Sequence, residues 1–591
     1  MGIKHFFIWY KKNNPDCIRD IKWDCENIEV DIDNLCLDMN GIFHQCAQKV
    51  YEYGNYKKEK RLLSRQVHKV GYKYKLQLYQ EVCNKITFYI NLVKPKKRVI
   101  LCVDGVAGKA KMFQQRQRRF KSAKEAELSN ENSIVKSDFD SAYISPGTQF
   151  MDYLTKYIDW YIRMMMTNDN RWSNLEVIFS NEKVPGEGEH KIVNYIRKYG
   201  SRLESYMIHG LDADLIMLAL GTELEKIYIL RENIYNDSIL HILDIHRFSK
   251  NLLNLLRWKD EDEKVDDNGI MSRTKNETFN KNRAIDDFIF MCFMVGNDFV
   301  PTIPTLAILE GGIDIMIDVY KNVCKEYGHL TRSRKGVGIL RMKSLEVFLG
   351  TLAQYENNLL VEKQEKKDCF LPDPLLDKHT MFLENGKCQV NFEDYKSEYY
   401  TKKFPEGTNV QDICHLYLQG LQWVIMYYKV GIPDWSWFYK FYYGPFLCDL
   451  SNYCKTFKFS NFELNEPVSP FLQLLYILPP QNSYLLPTPL DKLLTSPDSP
   501  IIESYPLEFT IDTSGKRKEW EGIVILPYID ISKIKTVYEE KIKVVEEKEK
   551  RRNKDMSTSI YKLEKNKINY VYKSYYGNIE NCKIKLENIS L

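Results

Sequence analysis

Four short apolar runs, each closing on an acid or a turn, constrain this chain most. They read NLCLDMN (34–40), RVILCVDG (98–105), LEVIFSN (175–181) and SYMIHGLDAD (205–214). Each reads as a strand. Longer stretches with helical spacing follow them, among them GIFHQCAQKVYEYG, FMDYLTKYIDWYIRMMM and HKIVNYIRKYG. Strand–helix alternation predicts an α/β fold, a mostly parallel central sheet flanked by helices. Sites in such sheets lie beyond the carboxyl ends of the strands, and acidic residues gather at those ends.

These acids are Asp38 in LDMN, Asp104 in VDGVAG, Glu187 and Glu189 in PGEGEHK, Asp212 and Asp214 in GLDADLIM, and Asp298 in GNDFVP. A single aspartate in such a place is equally a turn former or helix cap. The glutamate pair is harder to dismiss, because glutamate caps poorly and glycine lets backbone approach closely. Seven carboxylates brought to one sheet edge would cost on the order of several kcal/mol in repulsion and desolvation. Hard divalent cations offset that cost, and Mg²⁺ or Mn²⁺, one ion or two, suits a site made only of carboxylates. Two such ions about 3.5–4 Å apart serve in-line hydrolysis of a phosphodiester.

Directly after Asp104 comes GVAGKAKMFQQRQRRFKSAKEA. From Lys109 to Lys124 it carries seven basic residues and no acid. On a helix Lys111, Gln115, Arg118 and Arg119 share one face. A solvated basic face is one reading. The other, favoured by the neighbouring acids, is a cationic wall that grips phosphate by charge-assisted bonds.

Bulk properties exclude several classes. At 591 residues, 44% hydrophobic and 28% charged, the chain is globular and too long for one simple core. A net charge of +4 does not by itself announce a polyanion partner, so local clustering carries that argument. The 14 cysteines include no CxxC pair and sit in apolar runs, which reads as small core residues in a reducing compartment. The expected location is therefore intracellular, cytoplasm ahead of nucleus. No apolar stretch approaches a membrane span.

These motifs together resemble the eukaryotic 5′→3′ exoribonuclease family, the Xrn/Rat type. They are DNLCLDMNGIFHQC, VDGVAGKAKMFQQRQRRF, ISPGTQFMDYL, VPGEGEHKI, GLDADLIML and MCFMVGNDFVPTIP, with GLQWVIMYYKVGIPDWSWFYKFYYGPFLCDL, FLQLLYILPPQNSYLLP and PDSPIIESYPLEFTIDTSGKRKEWEGIVILPYID in a second region. The likeness spans about residues 1–530. It implies a core similar to the PIN/flap-endonuclease fold, with a second, mainly helical, aromatic-rich region packed on it. It implies that Asp38, Asp104, Glu187, Glu189, Asp212, Asp214 and Asp298 are catalytic metal ligands. Lys111, Gln115, Arg118 and Arg119 would form a 5′-phosphate pocket. His44 would stack on the first base, with Trp435 or Trp437 opposite. One departure is Gly108, where the family usually has proline.

The implied organisation is a nuclease core at 1–350 with a mobile insertion at 257–282, a connecting segment at 351–403, a second region at 404–535 that closes the active-site channel, and a charged helix and tail at 536–591. The family's longer members carry further C-terminal domains, so the chain reads as a minimal, monomeric catalytic unit of the kind a large DNA virus could encode. The implied activity is processive 5′→3′ degradation of single-stranded RNA bearing a 5′-monophosphate, releasing 5′-mononucleotides in RNA decay. Two alternatives stay open: a flap-type DNA nuclease, which shares the acids, and a catalytically silent RNA-binding scaffold.

Overall fold

The computed structural model describes residues 2–3, 5–25, 27–54, 71–131, 139–233, 236, 238–258, 278–334, 337–384, 387–459, 461–564 and 570–591. Nine strands make its main sheet: β1 (Ile18–Lys22), β2 (Asn34–Asp38), β3 (Arg98–Cys102), β4 (Glu176–Ser180), β5 (Tyr206–His209), β6 (Ile227–Glu232), β7 (Ile239–Asp244), β8 (Thr558–Leu563) and β9 (Ile584–Ile589). Their order is β1-β7-β6-β5-β2-β3-β4-β8-β9. The five central strands, β6 to β4, are parallel. The outer pairs on both sides are antiparallel.

The central strands are apolar on both faces because both faces are covered. In β2, Leu35 and Leu37 enter one buried cluster and Cys36 the opposite one. Helices α1 (Met39–Tyr51) and α3 (Gln149–Asn168) cover the leucine side. Helices α4 (Gly188–Tyr199) and α5 (Asp214–Leu220) cover the other. From β2 the chain steps outward to β3 and β4, then returns to β5 and β6 on the far side. The reversal opens a crevice at the carboxyl ends of β3, β2 and β5, where an open α/β sheet binds its ligand.

Later helices pack onto this body. Helix α2 (Lys109–Glu131) leaves β3 and meets α8 (Pro470–Ile477), and Val106, Met112 and Phe120 share a core with Phe471, Leu474 and Leu475. Helix α6 (Lys281–Met294) packs against α7 (Val410–Val430). Among the described residues no helix is long and apolar enough to cross a membrane. All fourteen cysteines are free, and most are buried.

The segments between and after the two main regions are folded. The connecting segment at 351–403 is folded: helices Glu356–Glu365 and Phe392–Lys403 put Leu360, Tyr395 and Tyr399 into the main core. Buried Glu356 accepts from the backbone of Leu447 (2.7 Å) and Cys448 (2.9 Å) and so caps the helix Leu447–Cys454. Charged exposed faces such as VEKQEKK hide this in the sequence. The segment at 536–591, expected as a charged helix and tail, also contributes strands. Its predicted helix breaks after Lys541, and β8 and β9 extend the sheet, β8 pairing with β4. β9 reads polar because it is the edge strand with much of its length exposed. The predicted insertion at 257–282 falls mostly on 259–277, outside the described residues.

Candidate active site

The opening of α4 sets the geometry. Gly186 has φ +106°, a left-handed conformation that favours glycine. Gly188 follows Glu187, the cap of α4, and lies against the strand ends: a Cβ there would come within 2.8 Å of Asp38 Oδ1 and 3.0 Å of the Cys102 carbonyl. The glycine between the two glutamates is therefore a packing requirement. It lets the helix start press between β2 and β3, and its N–H donates to Asp104 Oδ1 (2.6 Å). Asn40 holds Asp104 from the other side, donating to Oδ2 (2.9 Å) and accepting from its N–H (3.0 Å).

The seven acids converge. Asp38 ends β2, Asp104 follows β3, Glu187 and Glu189 open α4, Asp212 and Asp214 follow β5, and Asp298 comes from the loop after α6. Carboxylate oxygens of Glu189, Asp212 and Asp214 all lie within 4.8 Å of one another. Lys111 Nζ bridges Glu187 Oε2 (2.5 Å) and Asp298 Oδ2 (2.8 Å). Burial, then repulsion from Asp104 and Asp212, pushes Asp38 well above the usual carboxylate range. Burial, then Asp214 and Asp212, does the same to Glu189. Burial, then Asp212 and Asp298, raises Asp214 to about 7. Burial alone would raise Asp298 too, but the neighbouring positive charges, Lys111 foremost and Arg118 among them, together outweigh it and hold the group at about 2.

Asp38 Oδ1, Glu189 Oε2 and Asp214 Oδ1 are buried without a hydrogen-bond partner. Buried carboxylate oxygens are costly in that state. A hard divalent cation fits this donor set, since oxygens crowded this closely repel one another until a positive charge sits among them.

Helix α2 brings the basic wall alongside, but splits it. Lys111 reaches into the acids. Gln115 is buried with Oε1 unpartnered, and Arg119 donates from Nη2 to Ser145 Oγ (2.7 Å) while its Nε is buried and unpartnered. Arg118 is exposed, and its charge reaches both Asp298 and His44. Burial, then Arg118 and Arg119, lowers His44 to about 4, so its imidazole is neutral at neutral pH. The helix turns other basic residues away to fix the second region. Buried Arg116 donates to the Tyr476 carbonyl (3.0 Å) and packs over the Phe120 ring (4.5 Å). Lys124 pairs with Glu508 (3.0 Å).

The two tryptophans separate. Trp437 is 8% exposed, stacks on Trp423 (5.3 Å, 25°), and lies where a Cβ on Gly420 would touch it at 2.8 Å. It packs into the core, unlike its alternative in the expected pair. Trp435 is half-buried and its carbonyl accepts from the Lys109 N–H (2.9 Å) at the start of α2. At Gly108, just before it, a Cβ would meet Ile432 Cδ1 at 2.7 Å, so glycine admits the second region there.

Sequence reasoning missed a layer behind the acids. Tyr427 donates to Glu187 Oε1 (2.9 Å) and Tyr428 to Asp214 Oδ2 (3.2 Å), both from α7. His190 stacks flat on Tyr427 (3.7 Å, 7°). Lys191 Nζ donates to the carbonyls of Val103 (2.7 Å) and Asn181 (2.9 Å), tying the ends of β3 and β4 together.

Comparison with known proteins gives this arrangement relatives. A family model described as the XRN 5'-3' exonuclease N-terminus matches residues 1–233, and one described as the Xrn1 helical domain matches 278–384 and 383–590, more than half of the chain. The 5'-3' exoribonuclease 1 of Homo sapiens is 30% identical over 663 aligned positions, covering 100% of this chain and 37% of its own length. That of Saccharomyces cerevisiae is 28% identical, covering 98% and 46%. The 5'-3' exoribonuclease 2 of Gallus gallus is 28% identical, covering 94% and 71%. The chain thus spans less than half the length of the first two. Among solved structures, the catalytic core of Rad2 in complex with DNA substrate aligns with 73% of this chain and 96% of its own, at 11% identity and a TM-score of 0.29, too low to bear on the fold. Nearly the whole sequence falls within the two family models, and on that ground the chain belongs to the XRN 5'-3' exonuclease family.

Proposed function

We propose that the chain is a 5′→3′ exoribonuclease that degrades single-stranded RNA bearing a 5′-monophosphate, one nucleotide at a time. The carrying observation is the meeting of unpartnered buried oxygens on Asp38, Glu189 and Asp214 with a basic flank that begins at Lys111. The relatives' names add weight.

Lys111, Gln115, Arg118 and Arg119 receive the terminal phosphate, which a cap or triphosphate would overfill. Neutral His44 and Trp435 sandwich the first base, a contact worth about 1–3 kcal/mol and tolerant of sequence. Asp38, Asp104, Glu187, Glu189, Asp212, Asp214 and Asp298 would hold one or two Mg²⁺ or Mn²⁺ ions. Such ions, when bound, lower the pKa of the attacking water and stabilise the leaving oxygen. Tyr427 and Tyr428 orient Glu187 and Asp214. Water adds to the phosphorus between the first two nucleotides and the bond to the first O3′ breaks. The mononucleotide leaves with its 5′-phosphate, and the shortened strand again begins with one, so the pocket refills without release. The second region closes the channel over a single strand.

The test is to incubate the full chain and Mg²⁺ with matched RNAs bearing 5′-hydroxyl, monophosphate, triphosphate or cap, beside a DNA flap. Stepwise release of 5′-mononucleotides from the monophosphate RNA alone, abolished by EDTA, is expected. Preferred incision of the flap, or internal RNA cuts, would overturn the reading. A scaffold would leave every substrate intact.

A further inference from the structure

A recess of about 950 Å³ opens beside the loop that leads from β4 to Glu187. None of the seven acids lines it, nor do Lys111, Gln115, Arg118, Arg119 or His44. Its walls come from the helix Tyr72–Val93, from α3, from β8 and from the segment around Tyr572–Tyr576. Nine of the lining residues are tyrosines.

The charged groups of the recess sort by what already satisfies them. Asp159 accepts from the hydroxyls of Tyr561 (2.5 Å) and Tyr572 (2.7 Å) and pairs with Arg163 (3.2 Å). Asp152 pairs with Lys156 (2.6 Å) and Lys183 (2.7 Å). Both carboxylates are thus neutralised within the wall. Lys75 makes no ion pair among the described residues, and its ammonium stands 5.9 Å from the centroid of Tyr143. At the mouth Tyr72 and Tyr575 meet edge to face (6.3 Å, 82°), Tyr575 being 81% exposed. The recess therefore offers open aromatic faces beside a cation that has no ion pair among the described residues. That combination suits a nucleobase attached to a phosphate, and the volume is that of a small-ligand site.

We propose that the recess is a second, non-catalytic nucleotide site, with a base on Tyr72 and Tyr575 and the adjoining phosphate at Lys75. The preference for a nucleic acid over a peptide rests on the ribonuclease reading. The two carboxylates of the wall, Asp152 and Asp159, are already held in ion pairs, so a nucleotide held there is not cleaved. The same chemistry is offered by an unpaired stretch of RNA and by a free nucleotide.

The test uses the full chain in EDTA and a 3′-labelled oligoadenylate decamer with a 5′-hydroxyl, which the catalytic pocket disfavours. Fluorescence anisotropy compares the unaltered protein with Lys75→Ala/Tyr575→Ala. Both side chains are exposed, so the fold tolerates the change; Tyr72→Ala is the second variant. Affinity for the decamer should fall about tenfold, the scale of losing one stacked base, while hydrolysis of a 5′-phosphorylated trinucleotide in Mg²⁺ is unchanged. Displacement of the decamer by adenosine 3′-monophosphate shows that one nucleotide suffices, and retention shows that the strand is required; either supports the site. Unaltered decamer affinity in both variants overturns it, as does capture of a proline-rich decapeptide in place of RNA. If no form hydrolyses the trinucleotide, the ribonuclease reading fails, and the anisotropy still judges the recess.

Discussion

Replacing Lys111 with methionine tests the electrostatics of the site directly. The ammonium lies 2.5 Å from Glu187 and 2.8 Å from Asp298, and burial alone would discharge it. Those two carboxylates instead hold its pKa well above the usual lysine value. At an effective dielectric of about 20, each contact supplies roughly 6 kcal/mol of gross Coulomb energy. Desolvation cancels much of that, and deleting one partner of a buried pair costs about 3–5 kcal/mol net. Methionine keeps the length and packing but leaves two buried acids facing each other. In EDTA, Lys111→Met should therefore melt clearly below the unaltered protein. A cation bound at a hundredfold its Kd stabilises by about 2.7 kcal/mol, and the variant's more negative site should bind Mg²⁺ more tightly. The rise in Tm on adding Mg²⁺ should thus be larger in the variant, followed by differential scanning fluorimetry, while RNA cleavage stays low because the phosphate pocket has lost a cation. An equal Mg²⁺ shift in both proteins would refute the argument, since it would mean that Lys111 does not share its carboxylates with a cation.

Further outcomes follow from the same geometry. Asp212→Ala should abolish cleavage while leaving RNA binding in a filter assay largely intact; loss of both would indicate a folding defect. Tyr427→Phe removes a hydrogen bond to a charged acceptor, worth about 1.5–3 kcal/mol, so kcat should fall by tenfold or more with KM little changed in steady-state assays. Trp435→Ala should raise KM by roughly tenfold without moving Tm, whereas Trp437→Ala should destabilise by about 3–5 kcal/mol and lower Tm. Burial raises Glu182 from 4.5 to about 6. The folded state then holds its proton to higher pH, so a penalty of about 2 kcal/mol is absent below pH 4.5, grows to pH 6 and persists above it. Glu182→Gln should raise stability at pH 7.5 and leave it unchanged at pH 4.5, as read by thermal melts.

The central sheet was legible because its strands are short, apolar and end in turns, and the burial of both faces of β2 shows why no alternation was needed. The peripheral elements were not. β9 alternates toward solvent as an edge strand, and Tyr395 and Tyr399 reach the core from a helix whose remaining faces are charged. In both places exposed lysines and glutamates dominate the local composition, so tertiary contact and not pattern decides the structure.

The site divides along the same line. Most of the acids were readable because they end a strand or adjoin glycine, where the backbone itself restricts the choice of residue; Gly188 shows the restriction physically, having room for no Cβ. Tyr427 and Tyr428 carried no such mark. As neighbours on a helix they point about 100° apart, and their partners, Glu187 and Asp214, lie 240 and 214 residues away. Only the packing of α7 across α4 and α5 turns that angular difference into two separate contacts with the acid cluster. The tryptophans were ambiguous for a related reason. Two residues apart in an irregular segment, Trp435 and Trp437 have the same composition and neighbourhood, and the difference lies in Gly420 on another helix, whose missing side chain admits Trp437 to the core. A larger residue at 420 should therefore expel Trp437 and loosen the segment that holds Trp435 against α2, so Gly420→Leu should impair both Tm and first-base binding, whereas Trp435→Ala impairs only the second.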